Sequence, residues 1–285
     1  MSKFFNETLK VLNGAPPAEA INLTGAVESI KAASLPEENG PGNGDGRLAQ
    51  CRKIVVPIAK MVHEQFEGSD SLESADESYR ALRTRLMRMR IDRGMRSIIV
   101  TSSVQGEGKT HISTNLAHCC AQLHELRVLL IDGDIRSCGL SRALSLPSSP
   151  GLGEVLSGNS EKDQAIIATD NPNLYLLGAG AAALPPAELF AGRRWQEFVQ
   201  WCKESFDLVL VDSPPILNLA DVELMTAACD GVVMVVRAQR TKREQLQKSA
   251  SQIDAKKFLG LVYNAVENGS RYGYAYGTYG AAASS

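Results

Sequence analysis

The chain has 285 residues, room for one large domain or two small ones. Hydrophobic residues make up 44% and charged residues 22%, the proportions of a globular protein, which excludes wholesale disorder. The formal net charge of −2 gives no global basic field for nucleic acid, and no apolar run approaches the ~18 residues of a membrane span. The opening Met1-Ser-Lys-Phe-Phe-Asn-Glu-Thr8 lacks the apolar core and small-residue cleavage site of a secretory signal. A cytosolic protein is expected. Six cysteines without a CxxC pair read as reduced thiols. Four histidines without HxxxH spacing argue against structural zinc.

Composition divides the chain into three parts. In residues 1–70, Phe5, Leu9 and Leu12 lie at helical spacing before Gly14-Ala-Pro-Pro17 interrupts them. Glu38-Asn-Gly-Pro-Gly-Asn-Gly-Asp-Gly46 reads as a linker, and 54–62 as a short strand or a docking segment. From 71 to 268 short β-branched runs at 97–101, 128–131, 174–177, 208–211, 232–236 and 259–263 alternate with amphipathic stretches at 72–90, 109–124, 186–205, 221–229 and 241–254. The runs are continuously apolar rather than alternating. That is the pattern of strands buried on both faces, so the spacing predicts an α/β domain with a mostly parallel sheet flanked by helices. Residues 269–285 contain no aliphatic core former and read as a disordered, tyrosine-rich tail.

Three motifs carry chemistry. Ser103-Val-Gln-Gly-Glu-Gly-Lys-Thr110 follows a strand and opens a helix, the setting a phosphate-binding loop needs. Gly106 and Gly108 let backbone N–H groups turn toward phosphate, Lys109 reaches the terminal phosphates, and Thr110 offers a hydroxyl to Mg²⁺. Ser103 stands where the pattern opens with Gly. Next, Val128-Leu-Leu-Ile-Asp-Gly-Asp-Ile-Arg136 ends a buried strand in two carboxylates, Asp132 and Asp134, at the strand edge where open α/β sheets bind ligands. Leu208-Val-Leu-Val-Asp-Ser-Pro-Pro215 ends another strand in Asp212, the arrangement that holds a carboxylate near the Mg²⁺ of a bound nucleotide.

Together these motifs resemble the bacterial tyrosine kinases of polysaccharide-export systems, P-loop kinases unrelated in fold to the eukaryotic ones. Further marks of that family can be matched: Glu77, Arg80 and Arg83 before the first strand, Pro186-Ala-Glu-Leu189, Arg237 followed by Thr241, and Asn264 closing a late strand. A terminal cluster holds Tyr272, Tyr274, Tyr276 and Tyr279.

The resemblance implies an ATP- and Mg²⁺-dependent autokinase with 71–268 as its kinase domain. Lys109, Asp132, Asp134 and Asp212 would be catalytic. Gly106, Glu107, Gly108, Lys109, Thr110, His111, Arg237 and Asn264 would bind the nucleotide, Asn264 at the adenine. Thr110, Asp134 and Asp212 would hold the metal, and Asp132 would orient or deprotonate the incoming tyrosine. Glu77, Arg80 and Arg83 would contact the next subunit of a homo-oligomeric ring. The tail tyrosines would accept phosphate.

A membrane chain-length-regulator protein is the implied activator, recruiting the kinase to the inner face of the membrane. Nucleic acid is not an expected partner. Other readings of the basic helix stay open. Ser74 and Glu77 have capping-box spacing, and the seven arginines at 80, 83, 85, 88, 90, 93 and 96 suit a solvated face or acidic headgroups.

Two rival functions share these motifs. A MinD/ParA-like ATPase switch would use water as acceptor, but its extra loop lysine would fall at Val104. A nucleotide-gated scaffold of the export complex would not need all of Asp132, Asp134 and Asp212.

Overall fold

The computed structural model describes residues 48, 51–54, 56, 58, 69–217 and 219–265, the side chains of 69–76 excepted. In chain order the elements are β1 (Arg52–Lys53), α1 (Ser69–Arg93), β2 (Ser97–Ser102), α2 (Lys109–Ala121), β3 (Val128–Asp132), α3 (Gly139–Ala143), α4 (Leu152–Ser157), α5 (Lys162–Ala165) and β4 (Ile167–Ala168). They continue with β5 (Leu174–Leu177), α6 (Pro186–Ala191), α7 (Arg193–Ser205), β6 (Leu208–Asp212), α8 (Asp221–Ala228), β7 (Gly231–Arg237), α9 (Arg243–Ser251) and β8 (Phe258–Asn264).

The strands form one sheet in the order β1-β4-β5-β3-β6-β2-β7-β8. Every pairing is parallel except β4 with β5. The six apolar runs of the sequence are the six long strands, and side-chain alternation explains their continuous apolarity. Val128 and Leu130 point into the core beneath α1 and α2, with Leu116 and Cys120. Leu129 and Ile131 point into the core beneath α6 to α8, with Trp195, Phe198 and Met225.

Two helices differ from expectation. The stretch 186–205 is two helices, because Gly192 takes an extended conformation (φ −71°, ψ 154°) between them. Helix α1 begins at Ser69, so Glu77 lies beyond its first turn and the capping-box reading of Ser74 and Glu77 fails. The 54–62 segment follows β1. Ile54 donates its N–H to the Ala168 carbonyl at 3.0 Å, and Val56 and Ile58 are buried in the core beneath α1 and α2. The four tail tyrosines lie outside the described residues.

Among the described residues no helix is long and apolar enough to cross a membrane. All six cysteines are free thiols, buried except for Cys138.

Candidate functional site

The central strands β3, β6 and β2 are neighbours, and their C-terminal ends converge. Asp132 and Asp212 stand side by side in register. The loop after β2 lies beside them, where β2 separates β6 from β7 and the chain crosses over, the switch point at which open α/β sheets take ligands.

Gly106 and Gly108 occupy left-handed conformations, φ 84° and 92°, which side chains resist. Any Cβ on Gly108 would also collide with the carboxamide of Asn264. Ser103 is buried and has no positive φ, so this position does not require the usual glycine. Gly108 is the N-cap of α2 and makes no side-chain cap, leaving the first N–H groups of that helix for an anion.

The loop is braced from three directions. Glu107, 1% exposed, accepts a hydrogen bond from the Val104 N–H at 2.9 Å and a short one from the Thr241 hydroxyl. Arg237 donates to the Gly106 carbonyl at 3.1 Å. The Asn264 side chain donates to the Glu107 carbonyl at 3.0 Å, and its Oδ1 accepts the Ala265 N–H at 2.9 Å. Glu107, Arg237 and Asn264, expected at the nucleotide, are thus engaged with the backbone and side chains that shape the loop. In the sequence Thr241 stands out only through the family resemblance.

Beyond the loop, Thr110 donates its hydroxyl to Asp212 at 2.7 Å, and Lys109 Nζ is 3.8 Å from Asp134 Oδ2. Asp212 is fully buried, and its Oδ1 has no hydrogen-bond partner. Burial above all pushes its carboxyl up to about 7, against the pull of Lys109 and the Thr110 hydrogen bond and with the push of Asp132 and Asp134. A buried carboxylate with an orphaned oxygen calls for a cation, so the residues fit a bound metal ion.

Among the described residues no three His, Cys, Asp or Glu side chains gather as a metal cage.

Asp132 is also fully buried. Burial raises its carboxyl, and hydrogen bonds with Ser141 oppose the rise. Its Oδ2 accepts both the N–H and the hydroxyl of Ser141 at 2.7 Å, and its Oδ1 accepts the Asp134 N–H at 3.2 Å. Ser141, in turn, accepts the Ala179 N–H at 2.9 Å. Nothing in the sequence singled out Ser141, because a serine nine residues from its partner carries no motif. His111 is half-buried at the start of α2, and burial lowers its pKa.

Away from the site, Glu77 and Arg80 are exposed and pair at 3.6 Å. Arg83 instead donates to the Cys119 carbonyl at 2.8 Å, closing the last turn of α2.

Residues 95–257 match the family described as "AAA domain". The chain is 35% identical over 206 residues to the tyrosine-protein kinase YwqD of Bacillus subtilis (strain 168), covering 71% of this chain and 86% of that protein. It is 32% identical over 212 residues to the tyrosine-protein kinase CpsD of Streptococcus agalactiae, covering 73% and 91%. The kinase domain of the Escherichia coli tyrosine kinase ETK superposes with a TM-score of 0.65 at 28% identity, covering 72% of this chain and 80% of that one.

Proposed function

The chain belongs to the bacterial tyrosine-kinase family built on the AAA-type P-loop domain, and from that premise we propose that it moves the γ-phosphoryl group of ATP onto its own terminal tyrosines, Tyr272, Tyr274, Tyr276 and Tyr279, from one subunit to the next. The observation that carries the reading is the Thr110–Asp212 hydrogen bond at 2.7 Å beside an orphaned Asp212 oxygen, with Lys109 close by.

Phosphoryl transfer is mostly positioning and charge neutralisation. The N–H groups of 106–110 and Lys109 cradle the β- and γ-phosphates, and His111 flanks them. Thr110, Asp212 and Asp134 hold Mg²⁺, which when bound offsets the charge of the phosphates. The phenolic oxygen of the tyrosine forms a bond to the γ-phosphorus as the bond to the β–γ bridging oxygen breaks. Asp132 takes the phenolic proton. A phenol of pKa about 10 needs such an acceptor, and the burial that raises Asp132 strengthens it as a base. Ser141 fills Oδ2 with two hydrogen bonds, so the proton goes to Oδ1, which accepts only the Asp134 N–H and keeps a lone pair. Arg237 and Asn264 serve the nucleotide through the loop they brace, and the second amide N–H of Asn264 is left for the adenine.

The same proposal makes the protein a homo-oligomer that joins neighbours through Glu77 and Arg80. It acts in exopolysaccharide synthesis and export with a membrane activator of the chain-length-regulator type. Incubation with ATP and Mg²⁺, followed by intact mass and phosphosite mapping with and without residues 269–285, tests it. Phosphotyrosine confined to the tail and abolished by Lys109→Met is expected. ATP turnover without phosphotyrosine would assign the chemistry to a nucleotide switch instead.

A further inference from the structure

Helix α8 grips the loop that carries Asp134 at two points. Gly133 donates its N–H to the Asp212 carbonyl at 2.8 Å. It has no room for a side chain, because a Cβ would lie 2.5 Å from Met225 Cε and 2.8 Å from Val211 Cγ1. Three residues on, Arg136 makes a two-pronged contact with Asp221, the first residue of α8: Nε to Oδ2 at 2.8 Å and Nη2 to Oδ1 at 3.2 Å. The Asp221 carboxylate is 2% exposed while the Arg136 side chain is 47% exposed. A buried carboxylate met by a planar guanidinium fork is the geometry in which arginine is held in one place.

That placement matters because Arg136 is two residues from Asp134, near enough to feel its charge. Three carboxylates, Asp132, Asp134 and Asp212, already influence one another here, and Lys109 is their near cation. An untethered guanidinium would be drawn toward Asp134, whose charge it already feels. It would compete there with Lys109 and with any bound cation.

We propose that Asp221 is a positioning residue: it holds Arg136 off Asp134 and so keeps that carboxylate free for the metal of the bound nucleotide. The inference rests on the reading of Asp134 as a metal-side carboxylate. It makes α8, which contributes no residue to the phosphate loop, a determinant of Mg²⁺ affinity.

The test measures binding of a fluorescent ADP to the full chain as Mg²⁺ is titrated, with melting curves as the check on folding. Asp221→Asn is expected to raise the Mg²⁺ needed for half-maximal effect by about tenfold, the size of one partly screened charge contact. The neutral pair Arg136→Gln with Asp221→Asn is expected to return to within about threefold of wild type, since the competing cation is gone. A merely structural role predicts the opposite, a double variant no better than the single one. An unchanged Mg²⁺ requirement in Asp221→Asn, or no recovery in the pair, overturns the proposal. Should Asp221→Asn alone fail to fold, Asp221→Ser takes its place, and the same comparison with its Arg136→Gln pair decides. Wild-type binding that ignores Mg²⁺ would remove the metal reading itself. A wild type that makes no phosphotyrosine would remove only the kinase reading, leaving this measurement intact.

Discussion

Asp212 and Asp230 lie at opposite ends of the central strands, and their carboxyls shift in opposite directions. Asp212, with one oxygen orphaned, is pushed up by burial. Burial would raise Asp230 too, but donors from α7 and from the start of β2 outweigh it and set it below the usual range: Lys203, and the backbone N–H groups of Arg96 and Ser97. The Lys203 contact is 2.7 Å. A carboxyl lowered in the folded state stabilises the fold at every pH above its unfolded value near 3.8. That contribution disappears as pH falls through the lower folded value. Asp230→Asn is therefore expected to cost about 1–3 kcal/mol in urea unfolding at pH 7, the range for hydrogen bonds to a charged group. The gap to wild type should close only below about pH 4. A gap that persisted unchanged at pH 3 would place the effect elsewhere.

Motif spacing made Lys109, Thr110, Asp132, Asp134 and Asp212 legible, because a strand edge and a tight loop bring nearby sequence together. Ser141, Thr241 and Asp221 were not legible as partners. Their contacts depend on how α3, the β7–α9 turn and α8 fold back onto that edge.

Among the elements, the long strands were legible because both faces are buried, and a run such as 208–211 has no polar alternative. The two-residue strands β1 and β4 and the short helices α3 to α5 were not. Four to six residues carry too little periodicity to stand out, and their hydrogen bonds come from distant partners, as Leu152 shows by donating to the Gly178 carbonyl at 2.8 Å. The break between α6 and α7 was also missed, since apolar spacing continues through Gly192. Helix α7 nevertheless supplies the anchor of one sheet face. Trp195 is fully buried, donates Nε1 to the Met225 carbonyl at 3.3 Å, and meets Phe190 edge-on at 5.2 Å. Trp195→Ala should destabilise the protein by about 3–5 kcal/mol, read as a lower urea midpoint. A loss below about 1 kcal/mol would mean that this face repacks without it.

For the whole molecule, the arginine-rich stretch has two populations. Arg83 binds α2, Arg90 reaches the Asp207 carbonyl at 3.0 Å, and Arg96 reaches the Lys203 carbonyl at 3.2 Å. These three hold the domain together, so a purely solvated basic face does not describe it. Glu77 and Arg80 remain exposed and suit a neighbour. In sedimentation velocity the wild type is expected to run above the 30.7 kDa of one chain, and Glu77→Ala with Arg80→Ala to weaken association by at least about tenfold, the scale of one lost interface ion pair. Unaltered assembly would move the interface elsewhere.

Asn264 ends the edge strand and grips the phosphate loop, so it is also the post to which the tyrosine cluster is tied. Tyr272 lies eight positions beyond it and Tyr279 fifteen. A chain spans at most about 3.6 Å per residue, which limits these tyrosines to leashes of about 29 and 54 Å. On the proposed transfer, the order of the tyrosines becomes a ruler: the active site that phosphorylates each one has to lie within that reach of the Asn264 of the subunit that carries the tail.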